Sequence, residues 1–251
     1  MIYPVAAFND NYIWAIVRNQ QALIVDPGDA EPVEAFLQEN GFDLAGILIT
    51  HWHPDHIGGL PRLAEKYRPR IAGPKHEAIK PLTETVADGD SVSMLGLTFS
   101  VIAIPGHTLE HIAFYCPQDG LLFCGDTLFA GGCGRIFEGN APMMFKSLNT
   151  LAVLPGDTRV YCAHEYTLAN LRFALEVEPG NLQLQQRLID CEKLRRENAC
   201  TLPSTIAIEL ATNPFLRATE PEVVTSALNQ GACSSAAVDI FACLREWKDQ
   251  F

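Results

Sequence analysis

The sequence predicts an α/β domain followed by a helical one, and three observations lead there. Short apolar runs separated by turns recur from the N-terminus to about residue 165. Several of them, Leu44–Thr50, Thr98–Ile104, Leu121–Gly125 and Arg159–Cys162, end in or next to a His or Asp. Beyond Thr167 the pattern changes to long segments of helical period. Strand ends gathered on one edge of a sheet are where α/β folds collect their sites. Residues 1–165 are therefore expected to form an α/β domain and residues 166–251 a helical one.

The elements follow in order. Tyr12–Arg18 and Ala22–Asp26 read as paired strands. Glu31–Asn40 reads as a helix, started by Asp29 and stopped near Gly41. Ile57–Tyr67 reads as the helix that leaves the loop after Leu44–Thr50. Val101–Ile104, Ile112–Cys116 and Leu121–Cys124 are further strands, and Pro142–Leu154 has helical periodicity. Leu168–Val177, Leu182–Asn198 and Ala237–Asp249 are helices, the second ended by Pro203.

The loop after the first of those strands is the most informative stretch. Thr50-His51-Trp52-His53-Pro54-Asp55-His56 packs three of the chain's seven histidines and a carboxylate together. In an extended segment His51 and His53 point to one side. Asp55 and His56, at the turn that follows, can face a second point nearby. Two metal ions close together suit that pattern, because neutral imidazole favours zinc and carboxylates complete or bridge such sites. A lone His would more readily be a satisfied surface residue; this spacing would not. Further ligand candidates stand at the other strand ends: His107 after Ile104-Pro105-Gly106, Asp126 after Gly125, and His164 after Ala163. His76 sits in a polar turn and is expected to be exposed. His111 is expected to support the site by hydrogen bonding.

With these residues assembled, the chain resembles the metallo-β-lactamase superfamily, whose mark is His-x-His-x-Asp-His. Within it the chain is similar to the glyoxalase II (hydroxyacylglutathione hydrolase) family. The similarity runs through Phe8-Asn9-Asp10-Asn11-Tyr12-Ile13-Trp14, Val25-Asp26-Pro27-Gly28-Asp29 and Phe123 to Phe129. It continues through Gly131-Gly132-Cys133-Gly134-Arg135, Ala163-His164-Glu165-Tyr166-Thr167 and Leu244 to Phe251. The resemblance implies a four-layer αββα sandwich with a C-terminal helical domain. It implies one metal held by His51, His53 and His107, another by Asp55, His56 and His164, and Asp126 bridging them. Asp55 and Asp126 would be the catalytic carboxylates. It implies two divalent ions, zinc first, with iron or manganese as alternatives. Glutathione contacts would come from Arg135, Phe137, Tyr166, Arg245 and Lys248. The implied reaction is hydrolysis of S-D-lactoylglutathione to glutathione and D-lactate, the second step of methylglyoxal detoxification. Trp52 and Pro54 are departures at filler positions, and Glu110 stands where Gly is common. Arg135 and Phe137 stand where some relatives carry Lys and Tyr. A mononuclear iron oxygenase on the same scaffold would need only a facial set such as His51, His107 and Asp126.

Composition narrows the partners. A net charge of −12 argues against nucleic acid or an anionic membrane surface. No run is apolar and long enough to span a bilayer. The N-terminal Met1-Ile2-Tyr3-Pro4-Val5 lacks a signal-peptide pattern, so a cytoplasmic location is expected. A small-molecule glutathione thioester and a monomer are the expected partner and state. The eight cysteines are scattered singly and are expected to be small core residues in a reducing compartment.

Overall fold

A computed structural model describes all 251 residues. The backbone contacts divide them into two compact units: Met1–Ala103 with Glu110–Gly125, and Ile104–Leu109 with Asp126–Phe251.

The first unit is built on a six-stranded sheet. Its strands, in spatial as in chain order, are β1 (Ile2–Ala7), β2 (Asn11–Arg18), β3 (Gln21–Val25), β4 (Asp43–Leu48), β5 (Arg70–Gly73) and β6 (Glu84–Thr85). The first three are antiparallel and the rest join in parallel. The parallel steps need crossovers. α1 (Ala30–Asn40) supplies the first, the pair α2 (Pro54–Ile57) and α3 (Leu60–Tyr67) the second, and the loop 74–83 the third. Val33 and Leu37 of α1 and Leu60 and Leu63 of α3 pack on Ile13, Ala15, Val17, Ile24 and Ile47, which alternate along their strands and so share a face. Trp14, Ile16, Leu23 and Leu48 are buried on the opposite face. That is why β2 to β4 read as nearly continuous apolar runs. Asp29 caps α1 by accepting from Glu31 N–H at 3.1 Å. An antiparallel meander completes the unit: β7 (Ser91–Met94), β8 (Leu97–Ala103), β9 (Ile112–Cys116) and β10 (Leu121–Gly125).

The expected single helix over 57–67 is two helices, broken at Gly58-Gly59. The backbone crosses itself there: a Cβ on Gly59 would lie 2.5 Å from Ala30 N. Asp55 and His56 therefore lie on the short helix α2, not in a turn.

The second unit carries a small hairpin of β11 (Leu128–Phe129) and β12 (Gly132–Cys133), then α4 (Ala141–Ala152) and β13 (Arg159–Cys162). α5 (Thr167–Val177) and α6 (Leu182–Arg196) pack through Leu171, Ala174, Leu184 and Cys191. β14 (Ser204–Thr205) pairs with β13 and leads into α7 (Ile206–Thr212), a 3-10 turn at Pro214–Leu216, α8 (Pro221–Asn229) and α9 (Ala237–Gln250). Phe173, Phe215, Phe241 and Trp247 form an aromatic core, with ring centroids 5.3–6.0 Å apart. The buried Glu209 of α7 ties the hairpin down. It accepts from Gly131 N–H at 2.8 Å, Asn213 at 3.0 Å, Arg187 at 2.5 Å and the Ser204 hydroxyl. Asn213 also donates to the Phe129 and Gly132 carbonyls.

No helix is long and apolar enough to cross a membrane. Five cysteines are buried, as a core role requires, whereas Cys200 and Cys243 are half-buried and Cys233 is exposed. Cys233 lies in the loop before α9.

Candidate metal centre

In the first unit the ligand-type residues follow β4 directly. Residues 50–53 carry no strand pairing, yet His51 and His53 still converge: His51 Nε2 lies 3.2 Å from His53 Nδ1. His51 is fully buried and His53 half-buried. His56 Nε2 lies 3.4 Å from Asp55 Oδ2. Two ligands on one zinc, each about 2.0–2.1 Å away at a tetrahedral angle, stand about 3.3 Å apart. The pairs match the edge of a coordination polyhedron.

Residues behind these set their orientation. Asp26, buried at the end of β3, accepts from Thr50 N–H and Thr50 Oγ1, both at 2.7 Å. Its Oδ2 also accepts from His56 Nδ1 at 3.1 Å. A carboxylate can only accept, so the proton sits on Nδ1 and the Nε2 lone pair is left for a metal. Asp26, His51 and His56 could be read as a ligand trio in themselves. The bonds to both Asp26 oxygens instead make it the residue that orients His56. Asn11 Nδ2 donates to Asp55 Oδ2 at 3.0 Å and fixes that carboxylate. His111 is fully buried, stacks on His51 at 4.4 Å between centroids, and meets the Ile112 carbonyl through Nδ1 at 3.1 Å. His76, expected in solvent, is half-buried because its ring stacks on Trp52 at 4.9 Å.

In the second unit two histidines meet one carboxylate oxygen. Asp126 Oδ2 lies 3.5 Å from His107 Nε2 and 3.3 Å from His164 Nε2. All three residues are buried. His107 Nδ1 donates to the Arg135 carbonyl at 2.7 Å, which again leaves Nε2 for a metal. Gly134 allows this: a Cβ there would fall 1.9 Å from the Asp126 carbonyl oxygen and 3.3 Å from His107 Nδ1. The spacings exceed a good N–H···O bond and match ligands sharing an ion.

The substrate candidates also lie in this unit. Phe137 is 64% exposed, with its ring 5.2 Å from that of His107. Tyr166, 37% exposed, stacks flat on His164 at 4.7 Å and meets Phe129 edge-on. Arg135 is exposed and lies 3.5 Å from Asp249. Lys248 sits over the Phe173 and Phe251 rings at 5.4 and 5.3 Å. Burial, then the Arg245 and Arg135 charges, push its pKa below the ordinary lysine value. Arg245 is only 6% exposed: it donates to the Cys133 carbonyl and to Asp249, both at 2.8 Å, and lies over Phe215. Its Nε has no hydrogen-bond partner. Burial raises the Cys133 thiol to about 11, which rules it out as a nucleophile near neutral pH.

Comparison with known proteins agrees with the site. Residues 7–164 match the metallo-beta-lactamase superfamily, and residues 165–251 match the hydroxyacylglutathione hydrolase C-terminus. A hydroxyacylglutathione hydrolase of Chromohalobacter salexigens is 50% identical over 253 residues, which cover 100% of this chain and 99% of that protein. Among solved structures, ETHE1 from Myxococcus xanthus has a TM-score of 0.67 at 25% identity, over 96% of each chain. A di-iron-bound form of TTHA1623 has a TM-score of 0.61 at 25% identity, over 85% of this chain and 100% of that one. The polarised histidines, the shared carboxylate and a full-length identity near half lead to one conclusion: this chain belongs to the hydroxyacylglutathione hydrolase family of the metallo-β-lactamase superfamily, and it is a hydrolase.

Proposed function

We propose that the chain hydrolyses S-(2-hydroxyacyl)glutathione, with S-D-lactoylglutathione as the type substrate, to glutathione and a 2-hydroxy acid. The observation that carries this is Asp126 Oδ2, held 3.5 and 3.3 Å from two histidine nitrogens whose rings present Nε2 to it. His51, His53 and His107 would hold one metal and Asp55, His56 and His164 the other, with Asp126 available to both. Zinc is the first choice for this imidazole-rich set; iron, as in the di-iron form of TTHA1623, and manganese suit it too.

Divalent ions there supply Lewis acidity and lower the pKa of water toward ~7. The chain's own groups do the rest. Asp126 orients the attacking oxygen through its shared carboxylate. Asp55, fixed by Asn11, holds its carboxylate in one direction so that no side-chain rotation is needed during attack. Asp26 keeps the proton on His56 Nδ1. The leaving thiolate has a parent pKa near ~8.5, so it departs without a dedicated acid.

Glutathione carries two carboxylates, and this acidic protein meets them with local positive charge. Arg135 and Lys248 supply it, Phe137 and Tyr166 form apolar walls, and Arg245 fixes α9 and contributes its own charge. Residues 1–165 form the catalytic part and 166–251 the helical substrate-binding part, a reading supported by family matches that meet at 164/165. We assign the enzyme to the cytoplasm as a monomer. The test is release of free thiol from S-D-lactoylglutathione by purified protein of known metal content. Absence of thiol release at full metal loading overturns the assignment.

A further inference from the structure

We propose that Cys233 and Cys243 are a redox-active thiol pair that closes into an intrachain disulfide by exchange with a small-molecule disulfide. Both thiols line one surface cavity of about 310 Å³, together with Asp239, Glu246 and Trp247. Cys243 projects from α9 toward the end of α8, where its Sγ–H meets the Ala227 carbonyl at 3.4 Å. Ala232 lines the same cavity as this sulfur, and Cys233 is the next residue. Consecutive Cα atoms are about 3.8 Å apart, so the Cys233 thiol starts within a short swing of Cys243. Burial, then nearby Glu246 and the Cys233 thiol itself, push Cys243 up, consistent with two sulfurs sharing one space.

The loop that carries Cys233, between α8 and α9, has room to adjust. Gly231 has φ +104°, open space lies where its Cβ would be, and residues 233–236 are exposed. A disulfide needs its Cα atoms roughly 4.4–6.8 Å apart, an adjustment a loop with a free glycine hinge can make. The two cysteines play different parts. Cys233 is exposed, and Cys243 is half-buried and kept protonated. The exposed sulfur is therefore the entering nucleophile and the sheltered thiol the resolving one.

The exchange balances. The Cys233 thiol loses its proton, and its sulfur attacks one sulfur of the small disulfide. That S–S bond breaks and releases one thiolate, which takes up the proton. Cys243 then loses its proton and attacks Cys233 sulfur in the mixed disulfide, releasing the second small thiol. The protein gives up two hydrogens and two electrons, and one disulfide becomes two thiols.

The experiment uses the metal-loaded full chain with oxidised glutathione as the probe, followed by alkylation, intact mass and peptide mapping. The expected result is loss of two hydrogens, protection of Cys233 and Cys243 together, one peptide joining them, and reversal by a thiol reductant. Cys243→Ser removes the resolving thiol and is expected to accumulate one glutathione adduct on Cys233. Cys233→Ser is expected to leave Cys243 unmodified. Free alkylation of both cysteines after oxidation, a bridge from either to another cysteine, or no adduct on Cys233 in Cys243→Ser would overturn the proposal.

Discussion

At the scale of single residues, coordination here depends on which nitrogen of each histidine is left bare. Asp26 and the Arg135 carbonyl do this for His56 and His107. Asp26→Asn keeps the size but removes the charge and can turn a donor toward Nδ1. Affinity for the ion at His56 should fall by about 10–100-fold, with the fold retained. Equilibrium dialysis with the metal, alongside circular dichroism, checks this; unchanged affinity refutes the orienting role. Asp126→Ala removes the shared oxygen, and turnover should drop by at least ~10²–10³-fold with fewer ions bound. Full turnover with two ions retained would rule out the bridge. The ligand candidates themselves were legible because His-x-His-x-Asp-His is compact and the rest stand at strand ends. Asn11 and Asp26 lie within segments that carry the family resemblance, but their roles were not. Their partners are 44 and 30 residues away, and only the folded chain brings them together.

At the scale of elements, α9 and the β11–β12 hairpin depend on each other. Arg245 reaches 112 residues back to the Cys133 carbonyl. Arg245→Ala removes that carbonyl's side-chain donor and leaves Asp249 with Arg135 alone, and should cost roughly 1–3 kcal/mol of stability. Lys248, over two aromatic rings at the end of the helix, should behave differently. Lys248→Ala should raise KM for S-D-lactoylglutathione, leave kcat nearly unchanged, and spare a small neutral thioester. Equal effects on both substrates would remove Lys248 from recognition. With its pKa lowered, Lys248 loses its charge at a lower pH than an ordinary lysine. KM should therefore climb on the alkaline side before that range is reached, and Lys248→Arg should abolish the rise. Glu209→Ala leaves the half-buried Arg187 without its carboxylate partner and should cost about 1–3 kcal/mol, read as a lowered denaturant midpoint. The strands easiest to read, β2 to β4, β9 and β10, are apolar and buried. β5, β7 and β11 to β14 are short or carry polar residues such as Arg70, Ser91 and Ser93; apart from β13 they give no readable pattern, and pairing decides them. α7 and α8 escaped the same way, being 7 and 9 residues long.

At the scale of the whole molecule, an acidic chain with a net charge of −12 concentrates Arg135, Arg245 and Lys248 near the C-terminal helix. The change to helical periodicity after Thr167 marked the helical part. The course of residues 203–236 was not readable, because Glu209, Arg187 and Asn213 satisfy one another only in three dimensions. The central claim is a thioester hydrolase working with two ions, and one titration tests it most directly. Protein stripped of metal is given zinc in steps, with bound ions per chain and release of thiol from S-D-lactoylglutathione measured on the same samples. Activity should rise with loading and level off at two ions per chain, with D-lactate and glutathione formed in equal amounts. Full activity at one ion or none, or two bound ions with no thioester cleaved, would contradict it.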